Sequence, residues 1–175
     1  KTVRSTPEEH DRWFSDGRCT GIGVVTGAVS GNIELIEFEG RAVEEGFLDE
    51  VAELAVNSGL GDLWQAVTTG WADESPSGGA HFKVVVDGRP AGGNTKLARR
   101  LAREDEYTDE ERQRLREKPK SKIIRVLIET RGEGGFGVIA PSHGRTHPSG
   151  KPYVRLSGGP ATMPVVGPED LDAIY

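Results

Sequence analysis

Apolar residues recur along this chain in two rhythms, and the changes of rhythm mark most of its expected elements. Thr6-Pro7-Glu8-Glu9 has the form of a helix opening, with Thr6 as N-cap, Pro7 in the first turn and Glu9 placed to close a capping box. That helix is expected to run through Trp13 and stop near Gly17. Residues 21–26 and 32–39 read as strands separated by the turn Ser30-Gly31-Asn32. Val43, Phe47, Leu48, Val51, Leu54 and Ala55 fall at helical spacing with Gly59 as a stop, and a shorter helix follows around residues 63–67. Residues 80–86 read as a strand that ends at Asp87-Gly88. The stretch 99–122 is nearly devoid of apolar residues, yet Thr108 and Glu111 form a second capping box, so an exposed helix and a mobile excursion both stand as readings. Residues 123–130 are a strongly β-branched strand, 137–140 another, and Pro168-Glu169-Asp170 opens a final helix. Strands and helices mix without a regular βαβ rhythm, which predicts an α+β domain with a mainly antiparallel sheet flanked by helices.

A chain of 175 residues is about one domain and can bury a core without disulfides or metal staples. No apolar run approaches the roughly 20 residues of a spanning helix, and no signal-peptide pattern opens the chain, so no membrane partner and a cytoplasmic location are expected. Cys19 is the single cysteine and cannot form an internal disulfide, which agrees with a reducing compartment. The only methionine is Met163, and the chain is read as a fragment of a longer protein. Charge is segregated: residues 1–80 carry 5 basic and 15 acidic side chains, whereas residues 81–130 carry 13 basic and 9 acidic. An acidic half that holds cations beside a basic half that holds phosphates is one reading. Solvated helix faces are the other, and charge alone favours them.

Three stretches could carry chemistry. In Ile33-Glu34-Leu35-Ile36-Glu37-Phe38-Glu39, Glu37 and Glu39 share one face of a strand whose other positions, Glu34 apart, are apolar. Two carboxylates at the rim of a core invite a divalent cation with oxygen ligands, although acid-x-acid triplets also arise by chance in so acidic a chain. In Ser75-Pro76-Ser77-Gly78-Gly79-Ala80-His81, the glycines before a strand could aim backbone amides at an anion, with Ser77 and His81 as further donors; the same residues also make an ordinary turn. In Val126-Leu127-Ile128-Glu129-Thr130-Arg131-Gly132, Glu129 and Arg131 share a face, as a simple ion pair or as a metal ligand beside a phosphate ligand. Gly132-x-Gly134-x-x-Gly137 matches the dinucleotide fingerprint but leads into a strand and proline instead of a helix, so it is rejected. His143 and His147 lie among prolines and glycines, which removes the helical register a zinc pair would need.

In order, these stretches resemble the bifunctional primase-polymerase (prim-pol) family of the archaeo-eukaryotic primase superfamily, found in replication proteins of phages, plasmids and other mobile elements. Thr20-Gly21-Ile22-Gly23-Val24-Val25-Thr26-Gly27, Asn94-Thr95-Lys96-Leu97-Ala98 and the run from Glu129 to Gly144 extend the likeness over about residues 12–170. The resemblance implies that Glu37, Glu39 and Glu129 bind two divalent ions, Mg²⁺ or Mn²⁺, and that Ser77, Gly78, Gly79 and His81 hold the triphosphate of a dNTP or NTP. Lys96 and Arg131 fall near phosphate by the same likeness, and Arg99, Arg100 and Arg103 are candidates for template phosphates or for a solvated face. The family often has aspartate at the first and third motifs where this chain has glutamate, and it usually carries a further segment upstream of residues 6–14.

The expected activity is template-directed nucleotidyl transfer on a single-stranded DNA template with a primer. Fusion to, or association with, a helicase or other replication domains is expected by the same likeness. A two-metal nuclease using the same glutamates and a non-catalytic module that binds nucleotide or single-stranded DNA are the competing readings. The Ser-Gly-Gly-x-His turn argues against the first and the full set of acids against the second.

Overall fold

The computed structural model describes residues 5–15 and 17–175. In chain order its elements are α1 (Pro7–Phe14), β1 (Ile22–Val25), β2 (Ile33–Phe38), α2 (Gly40–Glu44), α3 (Phe47–Asn57), α4 (Gly61–Gly70), β3 (Trp71–Glu74), β4 (Ala80–Val86) and β5 (Thr95–Leu101). They continue with α5 (Asp109–Glu117), β6 (Ile124–Arg131), β7 (Phe136–Ile139), β8 (Val154–Gly158), β9 (Val165–Val166) and α6 (Pro168–Ile174). The main sheet runs β5-β6-β2-β4-β3-β8 with antiparallel neighbours throughout, and β9 lies parallel to β4. β1 and β7 form a separate antiparallel pair. The α+β class with a mainly antiparallel sheet is therefore what the chain adopts. Among the described residues no helix is long and apolar enough to cross a membrane.

Both capping boxes form as the sequence dictates. Glu9 N donates to Thr6 Oγ1 at 3.3 Å while Thr6 N donates to Glu9 Oε2 at 2.9 Å, and Thr108 with Glu111 repeats the arrangement at 3.2 and 3.0 Å. The single helix expected across residues 43–55 is two helices, because Gly46 adopts φ +85° and breaks the path between α2 and α3. β1 and β2, adjacent in sequence, belong to different sheets. β3, β5, β8 and β9 have no counterpart in the apolar pattern. β5 and β8 are the two ends of the sheet and carry mostly exposed or half-exposed residues, so burial imposes no alternation on them.

Alternation on the central strands sorts the sheet into two faces. Ile36 and Phe38 of β2 with Phe82 and Val84 of β4 are buried against Trp64 and Val67 of α4. Phe38, Phe82 and Trp64 meet edge to face with centroids 5.9–6.0 Å apart. Glu34, also buried, accepts a hydrogen bond from the Tyr175 hydroxyl at the end of the chain. On the opposite face lie Leu35, Glu37, His81, Lys83, Trp71 and Asp73, partly roofed by the small sheet; a Cβ at Gly137 of β7 would come within 2.3 Å of Leu35 Cδ2.

The excursion between β5 and β6 is tied down by arginines. Arg100 grips Glu106, and Arg125 grips Glu111 at 2.7 and 2.6 Å, which seats α5 against β6. At the same end of the strands, the β3–β4 turn packs on the start of α2 so closely that a Cβ at Gly40 would lie 1.9 Å from the Ser77 carbonyl oxygen. Gly40→Ala is therefore expected to lower stability by about 1–3 kcal/mol in urea unfolding. Gly92→Ala, with nothing within 4 Å of its added Cβ, should shift stability by no more than about 0.5 kcal/mol.

Candidate active site

Residues directly opposite each other in an antiparallel ladder point to the same face. The register aligns Lys96 (β5), Glu129 (β6), Glu37 (β2), His81 (β4), Asp73 (β3) and Arg155 (β8) in one line across the sheet. Every position in that line is ionisable, and the line crosses four interior strands. Glu37 and Glu129 are buried at 9% and 8% exposure. Two like charges facing each other across neighbouring strands repel unless something neutralises them.

Arg131, two residues beyond Glu129 on β6, is shared between them and offsets one of the two charges. Its Nε donates to Glu37 Oε2 at 2.9 Å and one terminal nitrogen donates to Glu129 Oε1 at 2.5 Å. Burial pushes the Glu37 carboxyl above its ordinary value, the Arg131 hydrogen bond and charge pull it back, and Glu129 and Glu39 push it up again. Glu39 lies one residue past β2, half-buried, at the N-cap of α2 without capping it.

On the other side of His81 is a second cluster. Lys83 and Asp73 are fully buried and paired at 2.6 Å, and Arg155 Nε donates to the other Asp73 oxygen at 2.6 Å. The Trp71 ring is near both cations, 5.3 Å from Lys83 Nζ and 5.5 Å from the Arg155 guanidinium. Burial pulls the Lys83 ammonium below its ordinary lysine value, and Asp73 acts against that. Burial, with the charges of Lys83 and Arg131, pushes His81 from 6.5 down to about 4 against the pull of Asp73. His81 is thus a neutral imidazole at neutral pH, its Nδ1 buried without a partner among the described residues. Tyr153 stands beside it with ring centroids 6.2 Å apart. Burial and the Glu37 charge push the Tyr153 phenol up.

The structure thus brings Glu37, Glu129, Arg131 and His81 into one neighbourhood, with Glu39 at its rim. Ser77, Gly78 and Gly79 form the β3–β4 turn at the same end of the sheet, where Gly79 lies against Phe38 and Gly40. The Gly78 and Gly79 amides close that turn, donating to the carbonyl and the Oγ of Ser75, and Ser77 Oγ lies 3.1 Å from Ser75 Oγ. Lys96 is exposed, opposite Glu129 on β5, and Arg99 is exposed further along that strand. Arg100 spends all five N–H donors on Glu45, Glu106 and the Leu101 carbonyl. Arg103, 60% exposed, shares Glu45 at 3.2 Å. His143 and His147 sit in a loop, each bonded locally, and Cys19 is exposed. Of the glycine run 132–137, residues 132–135 form the β6–β7 turn and Gly137 lies in β7.

Asp73, Lys83, Arg155 and Tyr153 were not among the residues singled out from sequence. A lysine between Phe82 and Val84, two residues from His81, was the available signal for Lys83. Among the described residues no three His, Cys, Asp or Glu side chains are grouped closely enough to hold a metal ion. The chemistry of the donors nevertheless fits a hard divalent cation: carboxylates alone, with Glu37 held in a state that a cation would relieve.

A polar line of carboxylates, imidazole and cations thus crosses a mainly antiparallel α+β sheet. Residues 1–166 match the family model described as "Bifunctional DNA primase/polymerase, N-terminal" (Prim-Pol), and the chain belongs to that family. It is accordingly a nucleotidyltransferase domain of the DNA primase/polymerase class, with nucleotides and nucleic acid as substrates. No curated protein and no solved structure matches it.

Two outcomes follow from the charged line. The folded state refuses a proton that the unfolded chain accepts at His81, so the His81 contribution to stability, on the order of 2–3 kcal/mol, should be lost as pH drops from about 6.5 to about 4. His81→Gln should flatten that segment of the stability–pH curve, and the wild-type His81 ring resonances should titrate near pH 4 by NMR. Asp73→Ala, which strands Lys83, should cost about 3–5 kcal/mol in chemical denaturation, and adding Lys83→Met should recover most of it.

Proposed function

We propose that this domain performs template-directed nucleotidyl transfer at the line formed by Glu129, Glu37 and His81, extending or starting strands during replication of a phage, plasmid or other mobile element. The observation that carries the proposal is the cross-strand alignment of two buried carboxylates with a neutral histidine, bracketed by Arg131 and Lys96. A primer 3′-hydroxyl attacks the α-phosphorus of a bound dNTP or NTP, the new P–O bond forming as the bond to pyrophosphate breaks.

Glu37, Glu39 and Glu129 would hold two divalent ions, Mg²⁺ or Mn²⁺. Such ions, when bound, neutralise phosphate charge and assist the nucleophile and leaving group. The remaining work falls to the chain's own residues. His81, neutral because it is buried, donates a hydrogen bond to a triphosphate oxygen, and such a bond is strong where water is excluded. Ser77, Gly78 and Gly79 shape the adjacent rim, with the Ser77 hydroxyl as donor. Lys96 and Arg131 supply positive charge for the phosphates, and Arg131 has a planar fork suited to them. Arg99, exposed on β5, and Arg103, exposed just past its end, receive template phosphates in a salt-dependent, sequence-independent way. Arg100 orients this region through Glu45 and Glu106.

Extension of a labelled primer on single-stranded DNA, with dNTPs and Mg²⁺ or Mn²⁺, tests the proposal. Glu37→Gln and Glu129→Gln should each reduce extension on the order of 10²-fold or more while retaining the wild-type fold by circular dichroism. Primer shortening in place of extension would assign the same residues to a nuclease. Nucleotide binding without extension would leave a binding module.

A further inference from the structure

Resting on the site proposed above, we propose that Arg131 is the resident counter-cation of the Glu37–Glu129 pair. A divalent ion displaces it, and the released guanidinium turns to the nucleotide phosphates, so that ion and nucleotide bind cooperatively through this one side chain. Among the described residues no other side chain forms an ion pair with either glutamate. Lys96, although opposite Glu129 in the register, is exposed and forms no ion pair with it. The guanidinium therefore stands where the charge of the opposed carboxylates demands a cation.

Its arm is free to leave while its backbone stays. The Arg131 side chain is 33% exposed. Directly after it, Gly132 N donates to Asn94 Oδ1 at 3.1 Å, the Gly132 carbonyl accepts from Thr26 Oγ1 at 2.5 Å, and Glu133 N donates to the Gly92 carbonyl at 2.6 Å. Rotation about the side-chain bonds moves the charge without disturbing β6. Among the described residues only two of its five N–H donors are used, one on each glutamate, so the remaining donors are available to phosphate oxygens. Coupling follows by linkage. An ion that frees Arg131 raises nucleotide affinity, and nucleotide that captures Arg131 raises ion affinity by the same factor.

Mn²⁺ binding, read from the electron paramagnetic resonance signal of the free ion, provides a test that needs no turnover. Without nucleotide, Arg131→Gln should bind Mn²⁺ at least about threefold more tightly than wild type, with Arg131→Lys between them, because the competitor is removed or shortened. A fluorescent non-hydrolysable dNTP analogue should gain about tenfold in affinity from Mg²⁺ in wild type and several-fold less in Arg131→Gln. Should Arg131→Gln fail to fold, wild type alone is decisive. Its Arg131 Nε–H resonance should shift with Mg²⁺ and stay put with Na⁺ at equal ionic strength. Equal or weaker Mn²⁺ binding in folded Arg131→Gln and Arg131→Lys, or an unmoved Nε–H resonance, would overturn the exchange even in a protein that extends primers. Tighter Mn²⁺ binding in the variant alongside a wild type that extends nothing would support the exchange and count against the polymerase reading.

Discussion

Two carboxylates face each other across the middle of the sheet, and the domain is arranged around keeping them there. Neither Glu37 nor Glu129 can turn away, because the register that opposes them also places Ile36 and Phe38 on the helix-packed face. A slip of one residue would drive those side chains into the polar face and the glutamates into the core. The aromatic contacts of Phe38 with Trp64 and Phe82 thus hold an electrostatically unfavourable pair in place from behind. Arg131 makes the arrangement tolerable in the absence of other cations. A buried pair of this kind is poor evidence for stability and good evidence that the position is kept for another purpose.

The Asp73, Lys83 and Arg155 cluster extends the same logic sideways. Asp73 accepts from both cations and lies opposite His81, so the histidine sits between two carboxylates that share one guanidinium and two cations that share one carboxylate. Desolvation then decides its protonation. A neutral ring can present a donor without adding charge to a site already crowded with it. Trp71, itself buried, packs its ring beside both Lys83 and Arg155.

Much of this was legible in the sequence where local chemistry rules. Thr6 with Glu9 and Thr108 with Glu111 are short-range capping boxes, and both helices begin where those residues require. The central strands β2, β4 and β6 announce themselves through β-branched, apolar runs because both of their faces are covered. Glu37, Glu129, His81 and Arg131 stand out for the same reason: polar residues interrupting such runs. What stayed hidden depends on pairing between distant segments. β3 has four residues and follows α4 directly, so Asp73 carries no local mark of a strand, and its partner Arg155 lies on an exposed strand without alternation. That β1 pairs with β7 and not with β2 is likewise a matter of long-range register, which apolar periodicity does not encode.

The excursion between β5 and β6 leaves the sheet and returns to it at one point, where Ala102 N donates to the Ile123 carbonyl at 2.9 Å. In topological terms the two strands are a hairpin, and everything between is an ornament on its loop, pinned to its base by the Arg100 and Arg125 forks. Closing such a loop costs only slightly more entropy as it lengthens. The geometry of the charged line is accordingly indifferent to how long that loop is or what it contains. A chain built this way can exchange the α5 segment for a bare turn or a larger module while the charged line stays as it was.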